Sequence, residues 1–402
     1  MRYFDSCPGC LLFVQNKVRV FFYFCFLFFV FFPYIQIVPT GTDMQPFAML
    51  FAIGLFFLFR NSLSWVEIWL FFVLLLALLL FMIDGKSLVA LRSVLNYVSL
   101  FFISYVACRV LRSGRVDFEF FFLLAFFLWF FVSLVQTVYD SDFLTSVVSG
   151  SRTTQGRGVT GLAPEPTFLG VVYIFFIVFS LHLDNLRFRK VIIFLSVVGV
   201  VFFAKSTMAL LFLILMLGLF LLTYIGLKSL LFGFFSLFAF SYLIRFLDGS
   251  RVYRILELLK DDPASLLLVD ASINDRLFHV FFSLKGLVDN LFMPHGFNAW
   301  LPYVSNELTR FHDVVIVEWF SLGGRIMSGY GAAFFELGIF AAIIPLALTC
   351  LLFNIYRSEL RRFLFFSIFM NSIMFSAIPV GLPLFAFYIG FLSYLYVGKK
   401  GL

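Results

Sequence analysis

Long runs of apolar residues, separated by mostly short polar connections, occupy most of this chain. An α-helix needs about 20 apolar residues to cross a hydrocarbon core of about 30 Å, and about twelve runs fit that use, the shorter ones if they tilt or lie among neighbours. Their approximate bounds are 18–38, 46–59, 64–83, 88–108, 118–138, 168–183, 191–204, 207–225, 229–247, 330–353, 363–377 and 383–397. The pattern predicts an all-α polytopic membrane protein with about twelve transmembrane helices.

The composition excludes the soluble classes of protein. Of 402 residues, 62% are hydrophobic and 13% are charged, whereas soluble domains average about 45–50% apolar and about 25% charged residues. We therefore expect residues 1–402 to form a single integral membrane domain. The net charge of +7 reflects cations placed around a membrane, so nucleic acid is not predicted as a partner.

Lys and Arg residues fall in every second short connection between the apolar runs. The connections in question contain Arg60, Arg109/Arg112/Arg115, Arg187/Arg189/Lys190, Lys228, Arg357/Arg361/Arg362 and Lys399/Lys400. Cytoplasmic connections carry an excess of these residues, which predicts both termini inside the cell. The first run lacks a small-residue cleavage site, so we expect it to remain as the first span. Two long connections, 139–167 and 248–328, then lie outside the cytoplasm.

The first long connection ends in a glycine-rich segment that leads into an acid between two prolines. The segment runs from Arg157 to Gly161, and glycines there permit positive φ and close backbone approach, so it can cradle an anion. Pro166 fits the first turn of a helix, which puts Glu165 at the positive end of the helix dipole. Glu165 is either an N-terminal cap or a functional acid, and the adjacent Arg152 and Arg157 favour function.

The second long connection, 248–328, exceeds the length of a plain connector and is predicted to contain two helices. Residues 251–260 carry an apolar stripe that suits a helix on the membrane surface. The tetrad that starts at Ser272 resembles a capping box, which predicts a further helix over roughly 274–290. On that helix Arg276 is either a phosphate ligand or a cation that anchors the helix at the membrane surface.

Three of the four histidines lie in this second connection, at 279, 295 and 312. His312 precedes an Asp, which can orient an imidazole base, and His295 or His312 is a candidate catalytic residue. Arg310 and Arg325 are candidate substrate ligands in the same connection. Cys7 and Cys10 have CxxC spacing, but no second Cys or His pair would complete a zinc site, and the histidines lack paired ligand spacing. No metal or cofactor is therefore predicted.

The ionisable residues at or within apolar runs are few: Glu67, Arg92, Lys205, Arg245 and Glu336. Lys205 and Glu336 are the two that point to function. Charges at membrane depth are usually functional or paired. Lys205 lies between two short runs and is a candidate for substrate binding. Glu336 lies about two turns into the tenth run, and we expect it to take a cationic partner from the outer connections.

Four segments, in order along the chain, carry motifs of one known family. Arg157-x3-Gly161-x3-Glu165-Pro-Thr-x2-Gly170 resembles the RxxxGxxxEPS motif that precedes a span in the O-antigen and capsule polymerases of bacteria, the Wzy type. The stretches that agree with the weaker family profile are Ala204-Lys-Ser-Thr-Met, Ser272 to Gly296 and Ser328 to Gly338. Together the four touch most of 150–340, and the layout of twelve spans with a large late outer connection covers the rest.

The resemblance implies a GT-C-like helical fold with a large periplasmic loop, and a glycosyltransferase of lipopolysaccharide or capsule biosynthesis. Such an enzyme acts at the periplasmic face of the bacterial inner membrane. It transfers a growing glycan from undecaprenyl diphosphate to a hydroxyl of another lipid-linked repeat unit. The implied partners are the undecaprenyl-diphosphate-linked oligosaccharide, membrane lipid and a chain-length regulator.

The candidate residues suit this chemistry. A diphosphate leaving group needs charge stabilisation, and Arg157 and Arg276 are predicted to bind it through their guanidinium forks. Glu165 is predicted to activate the acceptor hydroxyl, with His295 or His312 behind it. The predicted substrate-binding residues are Arg152, Gly161, Lys205, His295, Arg310 and Arg325.

Departures from the family pattern leave two other functions open. The His that O-antigen ligases carry before the late span corresponds here to Met327 or Ser328, which favours a polymerase over a ligase. A flippase or secondary transporter is the alternative from another class. Such folds usually have internal repeats and charges near the bilayer midplane, and neither is clear in this sequence.

Overall fold

A computed structural model of the chain describes most of its residues. The described ranges are 8–38, 42–59, 62–84, 87–148, 150–153, 157–183, 187–223, 231, 233, 235, 257–258, 271–311, 315, 320, 325–376 and 378–400. Regular structure within these ranges is helical, without a β-strand. The fold class predicted from the apolar runs, all-α, is therefore confirmed for the described residues.

The helices follow the apolar runs of the sequence. In chain order they are α1 (Pro8–Phe31), α2 (Phe47–Phe56), α3 (Trp65–Asp84), α4 (Leu88–Ser113), α5 (Phe118–Val138), α6 (Pro166–His182), α7 (Arg189–Val198), α8 (Thr207–Thr223), α9 (Ala271–Asp289), α10 (Trp300–Arg310), α11 (Gly329–Leu337), α12 (Ile343–Tyr356), α13 (Leu360–Met374) and α14 (Pro383–Lys400). A π-helical turn, Gly199–Ala204, continues α7, and a 3₁₀ turn, Gly338–Ala342, joins α11 to α12. Helical residues occur in each predicted span except the ninth, which lies largely outside the described residues. The tenth predicted span comprises α11, the 3₁₀ turn and α12, and the seventh comprises α7 and the π-helical turn.

Among the described residues, four helical stretches are long and apolar enough to cross a membrane. They are Trp65–Asp84, Leu88–Ser113, Phe118–Val138 and Gly329–Tyr356. Of the shorter apolar helices, α2 packs against α4, whereas α6 and α8 pack against each other and against the π-helical turn. These helices make the described part of the chain compatible with a membrane protein.

Helix α1 ends at Phe31, about two turns before the predicted limit of the first span. Pro33 causes this difference, because a proline has no N–H to donate and its ring clashes with the preceding turn. The chain instead turns at Pro33, whose carbonyl oxygen accepts a bond of 2.8 Å from the backbone N of Gln45. The backbone N of Gln36 bonds to the carbonyl oxygen of Val147 at 2.8 Å, so the α1–α2 connection lies against the first long connection.

Helices α4 and α14 form the centre of the bundle. Most of the apolar part of α4 is buried within the protein. Helix α14 packs along it. A Cβ added at Gly390 of α14 would lie 2.3 Å from the carbonyl oxygen of Ser104. The Ser104 hydroxyl also donates to the carbonyl oxygen of Ala386 at 2.8 Å, so the two backbones meet directly.

Helices α9 and α10 build a small second core beside the bundle. Its buried members include Phe278, Phe282, Trp300, Val304 and Phe335, the last of which belongs to α11. The predicted helix over 274–290 is confirmed as α9. The predicted capping box is wrong, because α9 already includes Ala271 and Ser272 lies within it. Of the predicted helix over 251–260, only residues 257–258 are described, and both are helical.

Candidate functional site

The glycine-rich segment before α6 is wedged between two other parts of the fold. Its Gly158 lies so close to the end of the π-helical turn that an added Cβ would be 1.9 Å from the carbonyl oxygen of Phe203. The next residue, Val159, donates its backbone N–H to the same oxygen at 2.9 Å. Arg157 is therefore held beside Lys205, which has the left-handed backbone conformation (φ 44°) between α7 and α8.

Gly161 is fixed by Gln136 of α5. Its backbone N–H donates to Oε1 of Gln136 at 2.7 Å, and its carbonyl oxygen accepts from Nε2 of the same side chain at 3.0 Å. The φ of Gly161 is +60°, a conformation that only glycine adopts without strain. The expected positive φ is thus confirmed at this position, and the glycine serves to turn the chain toward α6.

Glu165 is the N-cap residue of α6, and Pro166 is the first helical residue, as the sequence predicted. The carboxylate caps no backbone N–H. It instead contacts Arg152, with Oε1 at 2.6 Å from Nε and 2.6 Å from a terminal nitrogen of the guanidinium. Both contacts use Oε1. Within the described part of the chain, Oε2 of Glu165 makes no hydrogen bond.

Arg152 joins Glu165 to a second acid, Asp43 of the α1–α2 connection. Its two terminal nitrogens donate to the two carboxylate oxygens of Asp43, each at 2.9 Å. One of them also contacts the carbonyl oxygen of Gly150 at 3.4 Å. The guanidinium thus makes four hydrogen bonds, one of them to Glu165, and a terminal nitrogen forms a further ion-pair contact with Glu165. The hydrogen bonds to Asp43 and the charges of both acids raise the pKa of Arg152 above its ordinary value.

A cavity of about 280 Å³ lies between the first turns of α6 and α8, helix α9 and the end of α13. We call it the cation cavity, because three cationic side chains line it, those of Arg157, Lys205 and Arg276. Among the described residues that line it, none is a carboxylate. Its remaining wall is largely apolar and includes Met208, Leu211, Phe212, Ile273, Leu277 and Val280.

A second, smaller cavity of about 80 Å³ adjoins the first and shares Thr167 and Arg276 with it. We call it the acid cavity, because three carboxylates line it, those of Asp43, Glu165 and Glu336. Arg152 and Arg325 line it as well. Across the two cavities, five cationic side chains thus face three carboxylates, and the excess of positive charge lies in the cation cavity.

Glu336 of α11 is buried at the wall of the acid cavity, with 8% of its surface exposed. The Tyr97 hydroxyl of α4 donates to its Oε2 at 2.6 Å, and Ser93 provides a further hydrogen bond. The cationic partner that we expected is not among the hydrogen-bonding partners of this carboxylate in the described part of the chain. Hydroxyls from the neighbouring helix take that place, while Arg276 and Arg325 line the same cavity.

The structure brings six of the predicted site residues to these cavities: Arg152, Arg157, Glu165, Lys205, Arg276 and Arg325. Gly161 does not line either cavity, and its backbone is held by Gln136 where the chain turns toward α6. His295 and Arg310 are outside both cavities in the second long connection. His295 stacks on Phe335 with ring centroids 4.3 Å apart, and Arg310 pairs with Glu307 at 2.8 Å. His312 lies outside the described residues, so its role stays a prediction.

Three contributors to the site had not been identified in the sequence: Asp43, Gln136 and Tyr97. Asp43 is an isolated acid in a short connection, and Gln136 and Tyr97 are single polar residues within apolar helices. A polar residue in a membrane helix indicates function or pairing. The position of Gln136 within the apolar helix α5 is such a signal in the sequence. Asp43 has no such local signal.

Comparison with known proteins finds no family model that matches the chain and no significant match among curated proteins.

Proposed function

We propose that this chain is a membrane glycosyltransferase that lengthens an O-antigen or capsular polysaccharide. It transfers a growing glycan from undecaprenyl diphosphate to a lipid-linked repeat unit. The observation that carries the proposal is the cation cavity, where three cationic side chains and an apolar wall lie directly beside the Arg152–Glu165 pair. A substrate that joins a diphosphate to a polyprenyl chain needs cationic side chains for the diphosphate and an apolar wall for the lipid. The transfer reaction also needs a carboxylate nearby to accept a proton.

The distribution of charge supports a site at the periplasmic face of the bacterial inner membrane. Both cavities lie at the end of the bundle where α6 and α8 begin. The cations at or next to the opposite ends of α4, α6, α12 and α14 are Arg109, Arg112, Arg115, Arg187, Arg189, Arg357, Arg361, Arg362 and Lys399. Cytoplasmic ends of spans carry this excess of cations. The proposal therefore includes about twelve spans of a GT-C-like fold, with 139–167 and 248–328 in the periplasm.

The cation cavity suits the diphosphate of the donor. Arg157 and Arg276 offer planar forks that bind phosphate oxygens bidentately, and Lys205 adds a point charge. Because no carboxylate is among the described residues that line this cavity, an anion there meets little repulsion. The apolar residues of α8 and α9 provide a wall for the first isoprene units of the lipid.

The transfer step joins the two cavities. The hydroxyl oxygen of the acceptor repeat unit attacks the anomeric carbon of the donor glycan, and the bond from that carbon to the diphosphate oxygen breaks. The hydroxyl proton passes to Oε2 of Glu165. Undecaprenyl diphosphate leaves with the bonding electron pair, and Arg157 and Arg276 stabilise the charge that develops on its oxygen.

A polymerase is preferred to the related ligase because of the residues at the start of α11. Met327 and Ser328 line the acid cavity at the positions that correspond to the His of O-antigen ligases. Neither side chain carries an imidazole, so the group that the ligases place here is missing from these two positions. The backbone N–H of Met327 donates to Nδ1 of the buried His279 at 3.3 Å. The transporter alternative gains no specific support from these contacts.

The proposal is tested by the length of the polysaccharide made in cells that depend on this chain. Arg157→Gln, Arg276→Gln and Glu165→Gln should each lower chain formation about 100-fold or more, the usual loss when one transition-state contact is removed. Single-repeat products should accumulate on gels. Arg115→Gln, which removes an exposed cation from the opposite end of the bundle, is the matched control and should retain the wild-type ladder. Wild-type ladders from Arg157→Gln and Glu165→Gln would overturn the assigned roles.

A further inference from the structure

The guanidinium of Arg152 is engaged by protein groups although half of the side chain is exposed. It makes four hydrogen bonds, to Asp43, Glu165 and the carbonyl oxygen of Gly150, and one terminal nitrogen also pairs with Glu165. An arginine that binds a phosphate needs two parallel N–H groups for the phosphate oxygens. In Arg152 the two terminal nitrogens already make that bidentate contact with Asp43. Its position beside the cavities is therefore explained by the two acids.

The contact with Glu165 has a direction. Arg152 approaches only Oε1, from Nε and from one terminal nitrogen, both at 2.6 Å. Because the guanidinium contacts Oε1, Oε2 is the oxygen that is left for another donor. The backbone adds a further contact, because the N–H of Arg152 donates to the carbonyl oxygen of Pro164 at 2.8 Å.

Asp43 is itself held firmly enough to orient Arg152. The backbone N of Gln45 bonds to Pro33, and the side-chain Nε2 of Gln45 donates to the carbonyl oxygen of Thr42 at 2.9 Å. The hydroxyl of Thr42 bridges to the carbonyl oxygen of Met44 at 2.9 Å. These bonds close the chain around Asp43 into a compact turn. A functional group is held accurately when the residues that support it are themselves constrained.

We propose that Asp43 and Arg152 form a clamp that positions the carboxylate of Glu165 for proton transfer, and that Arg152 does not bind the diphosphate. Asp43 fixes the guanidinium, and the guanidinium fixes Oε1 of Glu165, which leaves Oε2 for the acceptor hydroxyl. Asp43 and Arg152 are positioning residues in this account. The inference rests on the proposed function, since Glu165 acts as the base there.

The clamp predicts a separation between binding and turnover that a phosphate ligand does not produce. Purified variants are compared in two assays: affinity for undecaprenyl diphosphate, and the rate of polymerisation of a lipid-linked repeat unit. Asp43→Asn should lower kcat about 10-fold to 100-fold, the loss that follows from misplacing a reacting group. Its KM and its Kd for undecaprenyl diphosphate should stay within about 2-fold of wild type, because the phosphate contacts are untouched. Arg276→Gln should weaken that affinity.

A second variant and a control keep the test decisive. Arg152→Lys keeps the charge but has no fork to hold two acids. We expect it to show the same loss of kcat with unchanged affinity for undecaprenyl diphosphate. This variant tests the clamp independently if Asp43→Asn does not fold. Asp142→Asn changes an exposed acid of the same connection and should behave as wild type. The clamp is overturned by wild-type kcat in the Asp43 and Arg152 variants, or by a loss of diphosphate affinity as large as that of Arg276→Gln. If the wild-type protein itself does not polymerise the lipid-linked repeat units, both the proposed function and the clamp are wrong.

Discussion

Gly158 sets the position of Arg157 in the cation cavity. The residue has no side chain because the carbonyl oxygen of Phe203 occupies the space that a Cβ would need, at 1.9 Å. Backbone atoms cannot move away as the end of a flexible side chain can. The approach allows Val159 to bond to Phe203 and brings Arg157 next to Lys205 in the wall of one cavity. The arginine of the motif therefore depends on the glycine that follows it.

A single methyl group at this position should damage both folding and function. We expect Gly158→Ala to lower the free energy of unfolding by about 1–3 kcal/mol, the usual cost of overpacking, and to abolish long polysaccharide chains. The thermal unfolding of the detergent-solubilised protein and the product ladder measure the two effects. Gly218→Ala in α8 is the matched control, because its added Cβ meets nothing within 4 Å. Equal stability and equal ladders for the two variants would refute this account of the motif.

At the scale of helices, the pair α4 and α14 holds the site together. Asn96 and Tyr97 at the start of α4 line the acid cavity, as do Pro379 and Val380 just before α14. Farther along the pair, Gly390 lies against Ser104. Interhelical contacts in membranes depend on small residues that let backbones approach. A change deep in this contact is thus expected to reach the acid cavity through the two helices.

The two glycines of α14 provide a matched test of this contact. An added Cβ at Gly390 would be 2.3 Å from the Ser104 carbonyl oxygen, whereas at Gly398 it would meet nothing within 4 Å. We expect Gly390→Ala to lower the unfolding temperature and to reduce polymerisation. Gly398→Ala should leave both unchanged or raise stability by up to about 1 kcal/mol through helix propensity. The opposite order of stabilities, measured by thermal unfolding in detergent, would show that α4 and α14 are not in direct backbone contact.

The helices could be predicted from the sequence because their signal is local. Apolar runs of membrane length predicted α3, α4 and α5 closely, and Pro166 marked the start of α6. The first apolar run extends past the end of α1, because Pro33 stops the helix within a stretch that remains apolar. The Asp43–Arg152 contact could not be predicted, since it joins residues 109 positions apart. The hydroxyl partners of Glu336 likewise depend on how α4 packs on α11.

At the scale of the whole molecule, the account requires one orientation. The cation and acid cavities lie at the end of the bundle opposite the cation-rich helix ends. A lipid-linked glycan reaches the site from one side of the membrane only, so orientation and function are linked. In the described part of the chain, an apolar core with many buried Phe side chains lies between the two ends.

Labelling of single cysteines tests this orientation. In a variant without the five natural cysteines, Asp140→Cys lies in the first long connection and Arg115→Cys lies at the other end of the bundle. A maleimide that cannot cross membranes should label the cysteine at 140 in intact spheroplasts. It should reach the cysteine at 115 only after permeabilisation. The reverse pattern would exclude a periplasmic site.

We propose that the residues of the two cavities together lengthen a lipid-linked glycan. The most direct test of this proposal uses only purified protein and lipid-linked repeat units. The account predicts a ladder of longer lipid-linked glycans, with one undecaprenyl diphosphate released for each bond formed. The ladder should be lost in Arg276→Gln and kept in Arg115→Gln. Repeat units that remain single with wild-type protein would contradict the account, as would a ladder of wild-type length from Arg276→Gln.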